Sequence, residues 1–445
     1  MFAYYIHLAV RSLKRNVALT AFMIIAVGVG IGVCMTALTT LRVMSGNPIP
    51  DKSSELYVPH INAWDPARGR PGTADSQFSY RDAMALMKAH RGVRQAAMYQ
   101  IELNIKMPSG RLEQVHGRAT FADFFPMFDV PFRSGGAWGA KQDDDRENVV
   151  VLSAKLANRL FPHIEPLGQA VTLTGQDYRV VGVIRPWTLT PRFYDLADQD
   201  ADQFAFGETE DFFLPFATAI DRQIIPHNYT SCMEEDRQWS SQTWAGRLNS
   251  GCYWVQFWVQ LPTATQVRDF KTFVQGYASA QQRLGLYHYP ARVQMLDVMD
   301  WLAFNEVNEG GVRVNMMIAT CLLVVCLVNA VGLMLARFAS KIAELGVRRA
   351  LGASQVDLFM QCFAETLIMG LLSAGLGLAL TAAGLWGIRV LRGVARDSAA
   401  GHLYSLDAQM ALIVLVLAVM ATMISGIYPA LRAVRTQPAW QLKIQ

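Results

Sequence analysis

The residue types that most often carry catalysis occur in this chain, but their spacing matches no catalytic motif. The sequence contains no HExxH, no G-x-S-x-G and no GxxxxGK[ST] phosphate-binding loop. Its eight histidines are scattered and lack the spacing of metal ligands. The run Asp143, Asp144 and Asp145 is interpreted as a solvated polar turn rather than an acid–base pair. The sequence therefore predicts a protein that is not an enzyme and that has no metal or cofactor of its own.

An acidic stretch at 195–211 combines seven carboxylates with no basic residue. Within it, Asp198, Asp200 and Asp202 alternate like the first ligands of a calcium-binding loop. Gln203 stands where such a loop needs glycine, and Thr209 stands where it needs a bidentate glutamate. We therefore interpret the stretch as a solvated loop.

The cysteines offer one further piece of chemistry. Cys232 and Cys252 are the only cysteines between residues 42 and 313, and the other four lie in or beside apolar stretches. A pair alone in an oxidising compartment is a disulfide candidate, and two unpaired thiols are the alternative. The bridge would close a loop of about 20 residues and contribute about 3 kcal/mol of stability.

The elements that must position these residues begin with four stretches that carry no charge, at 16–41, 314–336, 366–388 and 408–431. Each is long enough for a helix to cross a hydrocarbon core, which takes about 20 residues. The first stretch is too long for the apolar region of a signal peptide, and no A-x-A-like cleavage site follows it. The fold class predicted is a membrane α-helical protein with four transmembrane helices and a large mixed α/β domain inserted between the first two.

Basic residues near the ends of the stretches predict which side each segment occupies. Arginines and lysines cluster in 1–15, 337–365 and 432–445, so these segments are predicted to be cytoplasmic, and both termini with them. The domain 42–313 and the short loop 389–407 then lie outside, although the loop carries three arginines against the rule. Residues 1–15 are predicted to form an amphipathic helix.

The domain 42–313 holds 16 of the 18 prolines and eight of the ten tryptophans, which indicates a folded, turn-rich body. Two strand–helix–strand patterns lie at its ends, and runs of Val and Ile mark further strands between them. This pattern predicts one α/β unit split by an inserted subdomain at about 108–250. Its aromatic cluster is interpreted as core, with a substrate or partner contact as the alternative. The cluster comprises Trp239, Trp244, Tyr253, Trp254, Phe257 and Trp258.

The most informative segment follows the second apolar stretch. Glu344 and Arg348 form a favourable i,i+4 pair on a short amphipathic helix, which Gly352 can end, and Ser354 can cap the next helix. Spacing alone leaves a membrane-surface anchor and a docking element equally open. In the first apolar stretch, Gly28 and Gly32 have the spacing that allows helices to pack closely.

The sequence Glu344-Leu-Gly-Val-Arg-Arg-Ala-Leu-Gly-Ala-Ser354 closely resembles the signature of the FtsX-like permease family. The runs Asn148–Ser153 and Tyr178–Val183, with Gly168 between them, are similar to the MacB-like periplasmic core domain. The segment 185–250 departs from the family pattern by being longer, more acidic and more aromatic. That departure leaves the substrate open.

The resemblance implies a permease subunit of a mechanotransmission-type ABC transporter in the cell inner membrane, with its large domain in the periplasm. It implies a separate ATPase subunit that holds ATP and Mg²⁺, and a second copy of the permease or a homologous permease. A periplasmic adaptor and an outer-membrane channel are further expected partners, and nucleic acid is not. Export of antibiotics, peptides or lipoprotein-like substrates is the function implied. The alternative is a regulatory permease that controls a periplasmic partner such as a cell-wall hydrolase.

The resemblance implies that the helix Lys341–Leu351, within a coupling segment at 337–365, docks on the ATPase and that spans one and two carry the motion to the outer domain. The residues assigned to coupling are Glu344, Gly346, Arg348, Arg349, Gly352, Ala353 and Ser354.

Overall fold

A computed structural model describes residues 2–63, 77–187, 189–196, 205, 209–227, 230–232, 243–305, 307, 311–339, 347, 354–391 and 408–435. The chain divides into two compact units. The helical unit comprises Met1–Met44, Glu309–Asp397 and Gly401–Gln445, and the α/β domain comprises Ser45–Asn308 together with Ser398–Ala400.

The elements are numbered here in chain order. The helices are α1 (Phe2–Arg15), α2 (Val17–Ser45), α3 (Tyr80–Lys88), α4 (Phe124–Met127), α5 (Ala140–Asp144), α6 (Ala154–Leu160), α7 (Phe216–Asp221), α8 (Trp244–Asn249), α9 (Ala264–Arg283), α10 (Val298–Phe304), α11 (Gly311–Ala339), α12 (Gln355–Leu391) and α13 (Ala408–Arg435). The strands are β1 (Leu56–Asn62), β2 (Phe78–Ser79), β3 (Arg94–Lys106), β4 (Leu112–Thr120), β5 (Phe132–Gly135), β6 (Val149–Ser153), β7 (Ala170–Leu173), β8 (Gln176–Ile184), β9 (Phe212–Pro215), β10 (Tyr253–Gln260) and β11 (Arg292–Asp297).

Three helices of the helical unit are long and apolar enough to cross a membrane within the part of the chain that the structure describes. They are Val17–Val43 in α2, Val314–Arg337 in α11 and Gln355–Val390 in α12. The described apolar part of α13 is shorter, Ala408–Ile424. The helix α12 begins at Gln355, before the charge-free stretch 366–388. Its first turns therefore include Asp357 and Glu365. Glu365, one residue before that charge-free stretch, is buried within α12.

The strands form one sheet in the order β11-β1-β10-β3-β4-β9-β6-β8-β5, with β2 on β10 and β7 between β3 and β8. The early set β1-α3-β3 and the late set β10-α9-β11 interleave, because β1 lies between β10 and β11 and β10 also pairs with β3. Strand β4 pairs with β3 on one side and with β9 on the other, so the sheet continues into the central part of the domain. Residues far apart in the chain are therefore brought to neighbouring strands.

Local chemistry sets the strand-to-helix junctions of the domain. The side chain of Ser79 accepts a hydrogen bond from the backbone of Asp82 at the start of α3, and Ser153 caps α6 in the same way. Thr263 forms a capping box with Gln266 at the start of α9. The β-branched run of β6 is buried along most of its length, as is expected of a central strand.

The aromatic residues of β10 form core, as their composition predicts. Trp254, Phe257 and Trp258 are almost fully buried. Trp258 packs edge-on against Phe193 with ring centroids 5.0 Å apart, and Trp254 packs edge-on against Tyr99 at 5.1 Å. Their burial argues against a surface contact for a substrate. Trp239 lies outside the described residues.

The predicted disulfide is confirmed, with Cys232 and Cys252 joined at an S–S distance of 2.07 Å. The bridge lies at a short antiparallel contact, where Ser231 and Tyr253 exchange backbone hydrogen bonds of 3.0 and 2.7 Å. Cys252 is buried, so the bridge anchors the chain around residue 232 to β10.

A buried polar network links β4 to the two ends of the acidic stretch. The guanidinium of Arg118 is fully buried, pairs with Asp195 and contacts Glu210 at 2.6 Å. Arg192 contacts Asp195 at 2.6 Å, and the ring of Tyr194 lies 4.9 Å from the Arg118 guanidinium. Burial acts to raise the pKa of Asp195, but Arg118 and Arg192 hold that pKa below its usual range.

The interpretation of 195–211 as a solvated loop is therefore wrong at its ends, where Asp195 and Glu210 are buried. Both carboxylates have moved out of water to pair with arginine, as buried charges must. Asp198, Asp200 and Asp202 lie outside the described residues.

Asp143 also differs from its predicted solvated state. Its side chain accepts hydrogen bonds from the backbone N–H of Ala122 at 2.9 Å and from the indole N–H of Trp138 at 2.9 Å. Burial raises the pKa of this carboxyl to about 7, although both hydrogen bonds act to lower it. The neighbours Asp144 and Asp145 are exposed, which is the state that the run of three aspartates predicts.

A raised pKa in the folded state makes stability depend on pH. Between about pH 4 and pH 7 the unfolded chain has lost the proton that folded Asp143 retains, so this group's contribution to stability falls as the pH rises. We expect wild-type protein to lose on the order of a few kcal/mol across this range relative to Asp143→Asn, measured by chemical unfolding at a series of pH values. Asp144→Asn is the matched control, and it should keep the wild-type slope. Parallel pH profiles for wild type and Asp143→Asn would contradict the assignment.

Candidate functional site around the coupling segment

The structure describes the two ends of the coupling segment. Among the residues predicted to carry coupling, Glu344, Gly346, Arg348, Arg349, Gly352 and Ala353 lie outside the described residues, and Ser354 lies within them. The segment leaves α11 after Ala339 and enters α12 at Gln355.

A capping box formed by Ser354 and Asp357 stabilises the N-terminus of α12. The hydroxyl of Ser354 accepts a hydrogen bond from the backbone N–H of Asp357 at 3.2 Å and donates one to its carboxylate at 2.6 Å. The same carboxylate accepts from the backbone N–H of Ser354 at 3.1 Å. Ser354 thus caps the helix that follows it, as predicted, and an acidic group in the first turn also favours the helix dipole.

The exit from α11 is fixed by Arg337, two residues before the end of that helix. Its guanidinium is fully buried and donates a hydrogen bond to the Thr20 hydroxyl of α2 at 2.9 Å. It lies 3.5 Å from the Ser12 hydroxyl of α1 and 3.6 Å from the Glu365 carboxylate of α12. One side chain of α11 therefore contacts α1, α2 and α12 at the point where the coupling segment begins.

The surroundings of this pair are apolar. Leu13 of α1, Met23 of α2, Met334 of α11, and Cys362 and Met369 of α12 form one buried cluster. The Sδ atom of Met369 lies 3.5 Å from an Arg337 nitrogen. With so few competing polar groups, the electrostatic attraction between Arg337 and Glu365 is poorly screened, and loss of either partner leaves a buried charge.

Sequence reasoning missed this pair because Arg337 and Glu365 each lie one residue beyond a charge-free stretch. Arg337 was counted only as a basic residue flanking a span. The available signal is that two opposite charges flank two apolar stretches on the same predicted side of the membrane.

The glycines of α2 lie at close helix contacts. A methyl group added at Gly28 would lie 2.8 Å from Leu376, and one added at Gly32 would lie 2.7 Å from the Cβ atom of Leu380. Gly30, between them, faces α11 instead, where an added Cβ would lie 3.0 Å from Cys326. The alternation lets α2 approach two neighbouring helices at once.

One group of side chains in the described part of the α/β domain could hold a metal ion. Glu102 of β3, His116 of β4 and His227, in the segment after α7, each offer a ligand atom, and these atoms lie within 4.8 Å of one another. No spacing in the sequence predicts this group, because the three residues are far apart in the chain and the β3–β4 register brings the first two together.

Two family models match the chain. The MacB-like periplasmic core domain matches residues 20–273, which is more than half of the sequence, and the FtsX-like permease C-terminal region matches residues 316–438.

Curated relatives include the macrolide export ATP-binding/permease protein MacB of Salmonella paratyphi A. It is 22% identical over 68% of this chain and 40% of the relative. The protein of the same name from Azoarcus is 22% identical over 83% of this chain and 50% of the relative. The chain thus spans about half the length of the curated relatives it matches, or less.

Among solved structures, this chain is similar to the periplasmic region of MacB from Actinobacillus actinomycetemcomitans. The alignment covers 60% of this chain and 99% of that structure. The match has 13% identity and a TM-score of 0.37.

The buried pair yields a double-mutant prediction. Arg337→Met leaves the Glu365 carboxylate buried without its cation, and we expect a loss of about 3–5 kcal/mol of stability. Arg337→Met combined with Glu365→Met removes both charges, and we expect it to recover most of that loss. The measurement is the fraction of detergent-solubilised protein that stays monodisperse after heating. A double variant as unstable as the single one would contradict the pairing.

The glycine contacts yield a second prediction. Gly32→Ala puts a methyl group against the Cβ atom of Leu380, which cannot rotate away, so we expect about 1–3 kcal/mol of destabilisation. Gly375→Ala on α12 is the control, because an added Cβ there meets nothing within 4 Å. Melting temperatures in detergent compare the two variants with wild type. Equal melting temperatures for both variants would show that the close approach at Gly32 is dispensable.

Proposed function

This chain belongs to the family of ABC-transporter permeases that join a MacB-like periplasmic core domain to an FtsX-like permease domain, and we propose that it is the permease subunit of a mechanotransmission-type transporter. In this proposal a separate ATPase chain holds ATP and Mg²⁺. The observation that carries the proposal is the anchoring of both ends of the connection between α11 and α12, by Arg337 just before it and by the Ser354 cap at its end.

The proposed topology has four spans, with α13 as the fourth. Both termini and the coupling segment lie in the cytoplasm, and the α/β domain lies in the periplasm. The basic residues of 1–15, 337–365 and 432–445 support this orientation. The Cys232–Cys252 disulfide supports it as well, because disulfides persist in oxidising compartments such as the periplasm.

Docking of the ATPase is assigned to the coupling segment. Glu344, Arg348 and Arg349 are the proposed polar contacts, and Gly346 and Gly352 allow close approach and a tight turn. A force applied to this segment has two routes into the helical unit. On one side it reaches Arg337, which contacts α1, α2 and α12 directly, and on the other it reaches the capped first turn of α12.

Transmission to the periplasm follows from chain connectivity. The helical unit gives way to the α/β domain after Met44, and the chain returns to the helical unit at Glu309. In this proposal, movement of α2 and α11 is passed to the domain through the chain that joins them. We propose that the chain transmits motion across the membrane rather than enclosing a path for the substrate.

The proposed cargo is an antibiotic, peptide or lipoprotein-like substrate handled at the periplasmic face. The macrolide exporters to which the chain is similar support an export role. A second permease, a periplasmic adaptor and an outer-membrane channel complete the proposed assembly.

Charge reversal tests the coupling assignment. We expect Glu344→Lys with Arg349→Glu to reach the membrane but to lower transport and permease-stimulated ATPase activity by at least about tenfold, because a like charge at a docking surface costs several kcal/mol. Asp269→Lys with Lys271→Glu is the matched control, since both residues are exposed on α9. Unchanged coupling in the Glu344 and Arg349 variant would refute the assignment.

Co-purification from native membranes tests the wider proposal. An ATPase recovered with an adaptor supports export. Recovery of an ATPase with a cell-wall hydrolase instead would replace export with regulation, and absence of any ATPase would remove the central claim.

A further inference from the structure

The side chains of Glu102, His116 and His227 lie close together on the sheet. Strand pairing positions the first two, and a backbone hydrogen bond positions the third. Glu102 and His116 are directly opposite each other in the antiparallel β3–β4 pair, so their side chains project from the same face. His227 arrives from the segment after α7, and its backbone N–H donates a hydrogen bond of 2.9 Å to the carbonyl of Gln100 on β3. The backbone thus holds all three residues in place before any ligand binds.

The ligand atoms have the separations of a metal coordination shell. The Nδ1 atom of His227 lies 2.9 Å from Oε2 of Glu102, and the Nδ1 atom of His116 lies 3.5 Å from the same oxygen. Zinc bonds of about 2.0–2.1 Å in tetrahedral geometry put neighbouring ligand atoms about 3.3 Å apart. The two separations from Glu102 bracket that value, and all three ligand atoms lie within 4.8 Å of one another, so rotation of the exposed imidazoles can bring them around one ion.

We propose that Glu102, His116 and His227 form a binding site for a divalent transition-metal ion of the zinc type. Two imidazoles and one carboxylate are a donor set that suits zinc and disfavours calcium and magnesium, which prefer oxygen ligands alone. The Glu102 side chain is 13% exposed, whereas those of His116 and His227 are 67% and 48% exposed. The carboxylate is thus sheltered, and a fourth coordination position opens toward solvent.

Metal binding would link parts of the domain that are distant in the chain. The segment after α7 runs from Arg222 toward the Cys232 bridge and contacts β3 through the His227 backbone. An ion held by His227 on one side and by the β3–β4 pair on the other would clamp this segment to the sheet. The site does not depend on the transport role, since it involves only the α/β domain.

The test uses the full-length protein in detergent, with free thiols blocked by N-ethylmaleimide and metals removed by EDTA. Calorimetric titration with zinc chloride should show one ion bound per chain, and excess magnesium or calcium should not compete. His227→Ala and Glu102→Gln should each weaken binding by at least about tenfold, because even outer-shell changes cost 10–100-fold. His163→Ala, an exposed histidine elsewhere in the domain, is the control and should bind as wild type does.

Hydrogen exchange provides a second measurement that locates the ion. Zinc should slow exchange in residues 223–227 of wild type and leave that segment of Glu102→Gln unchanged. Glu102→Gln preserves the shape of the side chain, so it separates ligand loss from misfolding. Absence of zinc binding to wild type, or equal affinity in wild type, His227→Ala and Glu102→Gln, would overturn the proposal.

Discussion

A guanidinium buried at the end of an apolar helix must find its acceptors inside the protein, because the surrounding side chains shield it from water. Arg337 meets this constraint by reaching α1, α2 and α12 at once. The arrangement of the helical unit near its predicted cytoplasmic end follows from that single requirement. The helices α1, α2, α11 and α12 converge at Arg337. The apolar cluster around Met334 and Met369 shields the Arg337–Glu365 pair. The glycines of α2 then allow the same helices to stay close along the span.

The α/β domain also contains a buried arginine whose acceptors lie inside the protein. Arg118 of β4 is fully buried and contacts Asp195, Glu210 and Gln256, which come from three different parts of the chain. Like Arg337, it joins elements that are distant in the chain. Such networks cost more in desolvation than an apolar core would, and they specify one arrangement of the surrounding segments. Here the network fixes the two ends of the acidic stretch.

Much of the fold could be predicted from the sequence, because its signals are local. The β-branched run at β6, the serine caps before α3 and α6, and the apolar stretches all report structure within a few residues. The Cys232–Cys252 bridge was predictable because the domain offers one pair. The features that escaped prediction depend on distant residues. Asp143 is buried because Trp138 and the Ala122 backbone surround it, and Glu102 meets His116 only through strand register.

The helix α12 runs for 37 residues, which at 1.5 Å per residue is about 55 Å. A hydrocarbon core is about 30 Å thick, so about 25 Å of this helix extends past it. The Ser354–Asp357 cap satisfies backbone groups of the first turn and so opposes fraying at that end. A displacement of the capped end would therefore act on a helix that is continuous from one side of the hydrocarbon core to the other. The helix α12 is therefore long enough both to cross the hydrocarbon core and to extend well beyond it on the side of the coupling segment or on the opposite side.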